Sequence, residues 1–94
     1  MRIGLLRAGF YLHGCASLKE KRQRLGRLRD KFGKQTVLAV CESHHADELR
    51  RGEWSFVATA TSGVVVQQAL AEVERYLSTS LDAEVVSLEM QWLA

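Results

Sequence analysis

The spacing of the apolar residues along this 94-residue chain switches from two to about 3.6 and back, twice, which predicts strands on either side of amphipathic helices. Ile3 to Leu12 alternates, with Leu6, Ala8, Phe10 and Leu12 on one face and Leu5, Arg7, Gly9 and Tyr11 on the other. After a short loop, Ser17 stands three residues before Glu20, a capping-box spacing that predicts a helix start. Leu18, Leu25, Leu28 and Phe32 then form one stripe, and Gly33 is expected to end the helix in the left-handed conformation. Lys21 falls inside that stripe, where its stem can pack while the ammonium snorkels toward water. Gln23, Arg27, Asp30, Lys31 and Lys34 project onto the wet side.

Thr36 to Glu42 is a compact, partly β-branched run and reads as a second strand. Leu38 and Val40 are favoured as its inward set over Val37, Ala39 and Cys41. Ser43 to Glu53 is polar and charged and reads as a long hairpin loop. Trp54 to Thr61 alternates cleanly with Trp54, Phe56, Ala58 and Ala60 inward. Ser62 can cap a second helix to about Ser78, with Val66, Ala69, Leu70, Val73 and Leu77 buried. Glu84 to Leu93 is the last strand, with Val86, Leu88, Met90 and Trp92 inward.

The order β-α-β-β-α-β with one-faced elements has a standard solution in the α+β class. It is the ferredoxin-like βαββαβ sandwich, a four-stranded antiparallel sheet with two helices on one face, here one domain over residues 1–94. The right-handed crossover makes the first and second strands parallel with the third between them. One edge then gathers His13, Cys15, the first turn of the first helix, Cys41, His44, His45, Arg50 and Arg51.

Charge is unevenly spread over that frame. Lys19 to Lys34 holds eight basic residues against two acids, a local +6, and the rest of the chain holds five against nine, −4. Such polarity draws polyanions to one face. The candidate contact residues are Lys19, Lys21, Arg22, Arg27, Lys31, Arg50 and Arg51, with Arg24 and Arg29 in second place. Each phosphate contact releases counterions, so the predicted affinity falls steeply with salt. The outer sheet face offers only Tyr11 as an aromatic platform and no RNP1 run, which points to contacts with the RNA backbone rather than sequence reading. Leu5, Val57 and Val85 on that face suit sheet-to-sheet homodimerisation. The alternative function is a protein-interaction or self-assembly module without nucleic-acid contact.

Other chemistries find little purchase. Cys15, Cys41, His13, His44 and His45 are the soft ligands, but their spacing matches no closed metal motif, and two strand widths, about 10 Å, separate the groups. No nucleophile shows an orienting third group, and no glycine-rich phosphate loop is present, so neither catalysis nor a cofactor is expected. No apolar run approaches the roughly 20 residues of a membrane span. The N-terminus lacks the regions of a signal peptide, and a cytoplasmic setting with reduced thiols is expected.

Three segments carry a family resemblance: Ile3-Gly4-Leu5-Leu6 in the first strand, Ser17-Leu18-Lys19-Glu20-Lys21-Arg22, and Val73-Glu74-Arg75-Tyr76-Leu77 in the second helix. In this order they resemble the YlxP-like proteins, small bacterial proteins of unassigned function, over essentially the whole chain. The resemblance implies a ferredoxin-like fold, a bacterial cytoplasmic setting, and a gene neighbourhood shared with translation initiation and ribosome maturation factors. No established activity comes with it; joined to the basic helix, it favours ribosomal RNA or a ribosomal subunit as the expected partner. This chain departs from the family pattern at His13, where a proline often precedes the loop, and at Leu49, where relatives carry a tryptophan. Asp47 and Arg51 match.

Overall fold

A computed structural model describes all residues, 1–94. Strand β1 spans Arg2–Tyr11, helix α1 Leu18–Leu25, helix α2 Arg27–Phe32, β2 Leu38–His44, β3 Arg51–Ala60, α3 Gly63–Thr79 and β4 Glu84–Trp92. The four strands form one antiparallel sheet in the order β2-β3-β1-β4, and the helices lie against one face, the ferredoxin-like arrangement. Leu6 pairs with Phe56 and Ala8 with Trp54, so the inward sets of the two central strands coincide. These residues join Leu25, Leu28, Phe32, Val66, Leu70, Val73 and Leu77 in a single core cluster. No helix is long and apolar enough to cross a membrane.

The first helix is divided. Gly26 interrupts it, and a side chain there would bring its Cβ within 2.5 Å of the Arg22 carbonyl oxygen, so only glycine fits the bend. Gly33 closes α2 with φ −71°, in the right-handed region rather than the left-handed one, because its N–H still donates to Arg29 O at 2.8 Å. At the helix start the Glu20 N–H donates to Ser17 Oγ at 3.1 Å, while the Glu20 carboxylate turns to Arg24 instead of returning to the cap.

Strand β2 buries Leu38 and half-buries Val40, the favoured face, and leaves Cys41 exposed on the opposite one. The hairpin between β2 and β3 is shorter than its polar composition suggests. Ser43 and His44 remain in the strand around an irregularity, and Ser43 Oγ donates to the Glu53 carboxylate at 2.8 Å, so only residues 45–50 form the turn.

In β4 a bulge opposite Gly9 and Phe10 inserts Val86 as an extra residue. The insertion reverses the alternation at the start of the strand: Val85 turns onto the core and Val86 stands 59% exposed. Val85 is therefore not part of the outer face.

Candidate nucleic-acid interface

Because α1 and α2 are short and Ser17 fixes their start, the basic side chains fan out on three sides of the helix. Each side meets a different environment.

One side points inward and carries Lys21, whose side chain is only 3% exposed. Its ammonium donates to His45 O and Glu48 O, both at 2.7 Å, and to Ala46 O at 3.5 Å, with Glu42 Oε2 at 3.5 Å. The snorkelling expected for this side chain does not occur. Burying an ammonium is tolerable only when its protons find acceptors, and the turn between β2 and β3 supplies them as main-chain carbonyls. His45 adopts φ 61°, which helps aim its carbonyl inward. With its donors engaged, Lys21 tethers the turn to the helix and has no proton left for a phosphate.

A second side faces the end of α3 and lines an open cleft of about 700 Å³. Arg24 is locked there, its Nε 2.9 Å from Asp82 O and its Nη1 2.9 Å from His13 O, with Glu20 and Asp82 carboxylates each at 3.3 Å. Arg24 thus joins two loops to the helix, a role its sequence position did not announce. Arg27, also lining the cleft, is exposed and meets no carboxylate. Lys31 stands 5.4 Å from the Tyr76 and 5.7 Å from the Phe32 ring centroid and is exposed.

The third side borders the tethered turn and a groove of about 490 Å³. Arg22 and Arg29 flank it, and Arg29 sits 5.6 Å over the ring of Trp54. The Trp54 indole N–H is buried and has no acceptor within the fold. Lys19 and Lys34 are exposed.

Six of the eight basic residues between Lys19 and Lys34, namely Lys19, Arg22, Arg27, Arg29, Lys31 and Lys34, form no ion pair. Arg29 and Lys34 join the free cations; the exposure of Lys34 follows from the helix projection, whereas that of Arg29 and the absence of acidic neighbours could not be read from spacing. At the strand ends, Arg50 O accepts from Leu12 N–H at 2.8 Å and its side chain is exposed. Arg51 lies 3.7 Å from Glu48. The Glu48 carboxyl is held below its ordinary value by a hydrogen bond with His45 Nδ1 at 3.0 Å, helped by the charges of His45, Arg51 and His44 and opposed by desolvation.

The soft ligands do not assemble. Cys15 is buried and donates to Ser17 O, Cys41 sits on the outer sheet face, His13 pairs with Glu84 at 2.6 Å, and His44 packs edge-on against His45. No group of three metal-ligating side chains forms. On the outer face Arg7 pairs with Glu53 at 3.6 Å, and Tyr11 is capped edge-on by His13, which leaves little flat surface for stacking.

Among known proteins, the family model described as "Protein of unknown function (DUF503)" matches residues 3–90. A solved structure, the de novo designed protein Ferredog-Diesel, aligns over 95% of this chain and 83% of its own, with 11% identity and a TM-score of 0.49. No curated protein matches the sequence.

Proposed function

The chain belongs to the DUF503 family of proteins of unknown function, and from that premise we propose that it binds the backbone of ribosomal RNA through the free cations of α1 and α2 and the adjacent turn. One observation carries the reading: six exposed cations between Lys19 and Lys34 lack acidic partners in a chain that holds eleven acids. A solvated salt-bridged face would have drawn acids to itself. The contact residues are Lys19, Arg22, Arg27, Arg29, Lys31 and Lys34, extended by Arg50 and Arg51. Lys21 acts behind them by holding the turn. The choice of ribosomal RNA rests on the resemblance of Ser17 to Arg22 to the YlxP-like proteins. Binding requires no cofactor and no bond making.

Contacts of this kind position a protein on a phosphate chain without reading bases. If all six of these cations engage, log affinity falls against log salt with a slope of roughly −4 to −5. The test is binding to ribosomal subunits and to naked ribosomal RNA across a salt series, beside an Arg22→Glu/Arg27→Glu variant. Steep binding that competitor RNA removes and the variant lacks supports the reading. Absence of binding at low salt, or binding that survives both ribonuclease and the variant, overturns it in favour of a protein-docking module.

A further inference from the structure

Strand β4 is the outer strand of the sheet. It bonds to β1 along one side, and its other side forms no main-chain hydrogen bond. An unpaired edge of nine residues is a template for another strand, and proteins usually blunt such edges with lysine, proline, brevity or a covering segment. Glu84–Trp92 contains neither lysine, arginine nor proline, and its only charges are Glu84 and Glu89. The bulge at Val86 disturbs only its first turnings.

The side chains are as incomplete as the backbone. Leu88 and Met90 point to the helix side, yet they are 40% and 41% exposed because α3 packs over β1 and β3 and barely reaches β4. Between Met90 and Ala71 of α3 runs a shallow apolar groove of about 140 Å³. By contrast, β2, the opposite edge, is roofed by α2.

We propose that a second copy of this chain completes this edge, β4 against β4 antiparallel about a two-fold axis at Leu88, giving one continuous sheet. The strand is self-complementary in that register. Leu88 faces Leu88 and Ser87 faces Glu89, while Glu84, turned to the outer face by the inserted Val86, stays paired with His13. In this register neither carboxylate meets its own kind. A register centred on Glu89 would oppose two carboxylates directly. The axis also gathers Leu88 and Met90 of both copies onto one floor between the two α3 helices, where Ala71 leaves room. The absence of cations on β4 makes this edge unfit for a polyanion. The basic α1 and α2 lie toward the other flank, so the pairing is independent of RNA binding and leaves that surface open.

Light scattering and sedimentation across micromolar to millimolar protein test the pairing. The expected result is a dimer that Leu88→Lys/Met90→Lys converts to a folded monomer and that Val57→Lys, on the outer sheet face, leaves intact. In a Cys41→Ser background, Leu88→Cys is expected to form a disulfide-linked dimer under mild oxidation, because the axis places the two Cα atoms within disulfide reach. That cross-link decides the case if the lysine variant fails to fold. A protein monomeric throughout, a dimer that survives the lysine pair, a dimer dissolved by Val57→Lys, or no cross-link would each overturn the proposal.

Discussion

The two flanks of the sheet are finished differently. The β2 flank is roofed by α2, its turn is tethered to α1 by a buried ammonium, and its outer surface is free positive charge. The β4 flank is barely covered by a helix and carries no free cation cluster, and four of its large apolar residues, Val86, Leu88, Met90 and Leu93, stand exposed. The two edge strands therefore serve opposite ends: one flank closes its own core, and the other keeps apolar surface for something outside the chain. Position under a helix, rather than the pattern within the strand, sets the difference.

The sharpest way to break this comparison is at the tether. Lys21→Glu places a carboxylate against main-chain carbonyls, and losing one partner of a buried charge pair costs about 3–5 kcal/mol; urea unfolding is expected to show at least that loss. A stability change below the typical surface range would mean that the turn does not depend on the ammonium. Next come truncations on the two flanks. Phe32→Ala, fully buried at the end of α2, is expected to cost about 3–5 kcal/mol, whereas Leu88→Ala, measured at concentrations low enough to hold the monomer, is expected to cost less than about 1 kcal/mol because much of its area is already wet. Equal costs would erase the distinction between the flanks.

Smaller still is the Arg22→Glu/Arg27→Glu pair. Both residues are exposed and unpaired, so stability is expected to stay within about 0.5 kcal/mol per site while polyanion binding is lost. A clear drop in thermal midpoint would show that these cations serve the fold. The smallest effect belongs to pH. The folded Glu48 carboxyl titrates below its ordinary value, so its contribution is present above the unfolded value and is lost as pH falls through the folded one. An NMR titration is expected to place the Glu48 midpoint below that of a His45→Ala variant, with coincident midpoints arguing against the hydrogen bond as the cause.

Much of this architecture was legible because period and capping are local. The stripe from Leu25 to Phe32, the alternation from Trp54 to Ala58, and the Ser17 and Ser62 caps each follow from neighbours along the chain. The break at Gly26 was missed because a glycine inside a helical stripe reads as a weak residue until the Arg22 carbonyl is seen against it. The bulge at Val86 was missed because Val85 and Val86 are equally apolar, and only the pairing with Gly9 and Phe10 says which of them turns inward. Within the candidate site, the concentration of positive charge was plain, but its division among three sides was not. Lys21 and Arg24 look like the other cations in the sequence, and their partners lie in distant segments, the turn at His45 to Glu48 and the loop at Asp82.

By itself, then, the sequence determined the order of elements, the residues that form the core and the concentration of charge on one helix, since each depends on residue type at short spacing. Tertiary structure decided which cations remain free, which strand edge stays open and which valine faces the core. Those outcomes depend on what packs against a residue from elsewhere in the chain, and burial, ion pairing and edge pairing exist only between segments that folding brings together.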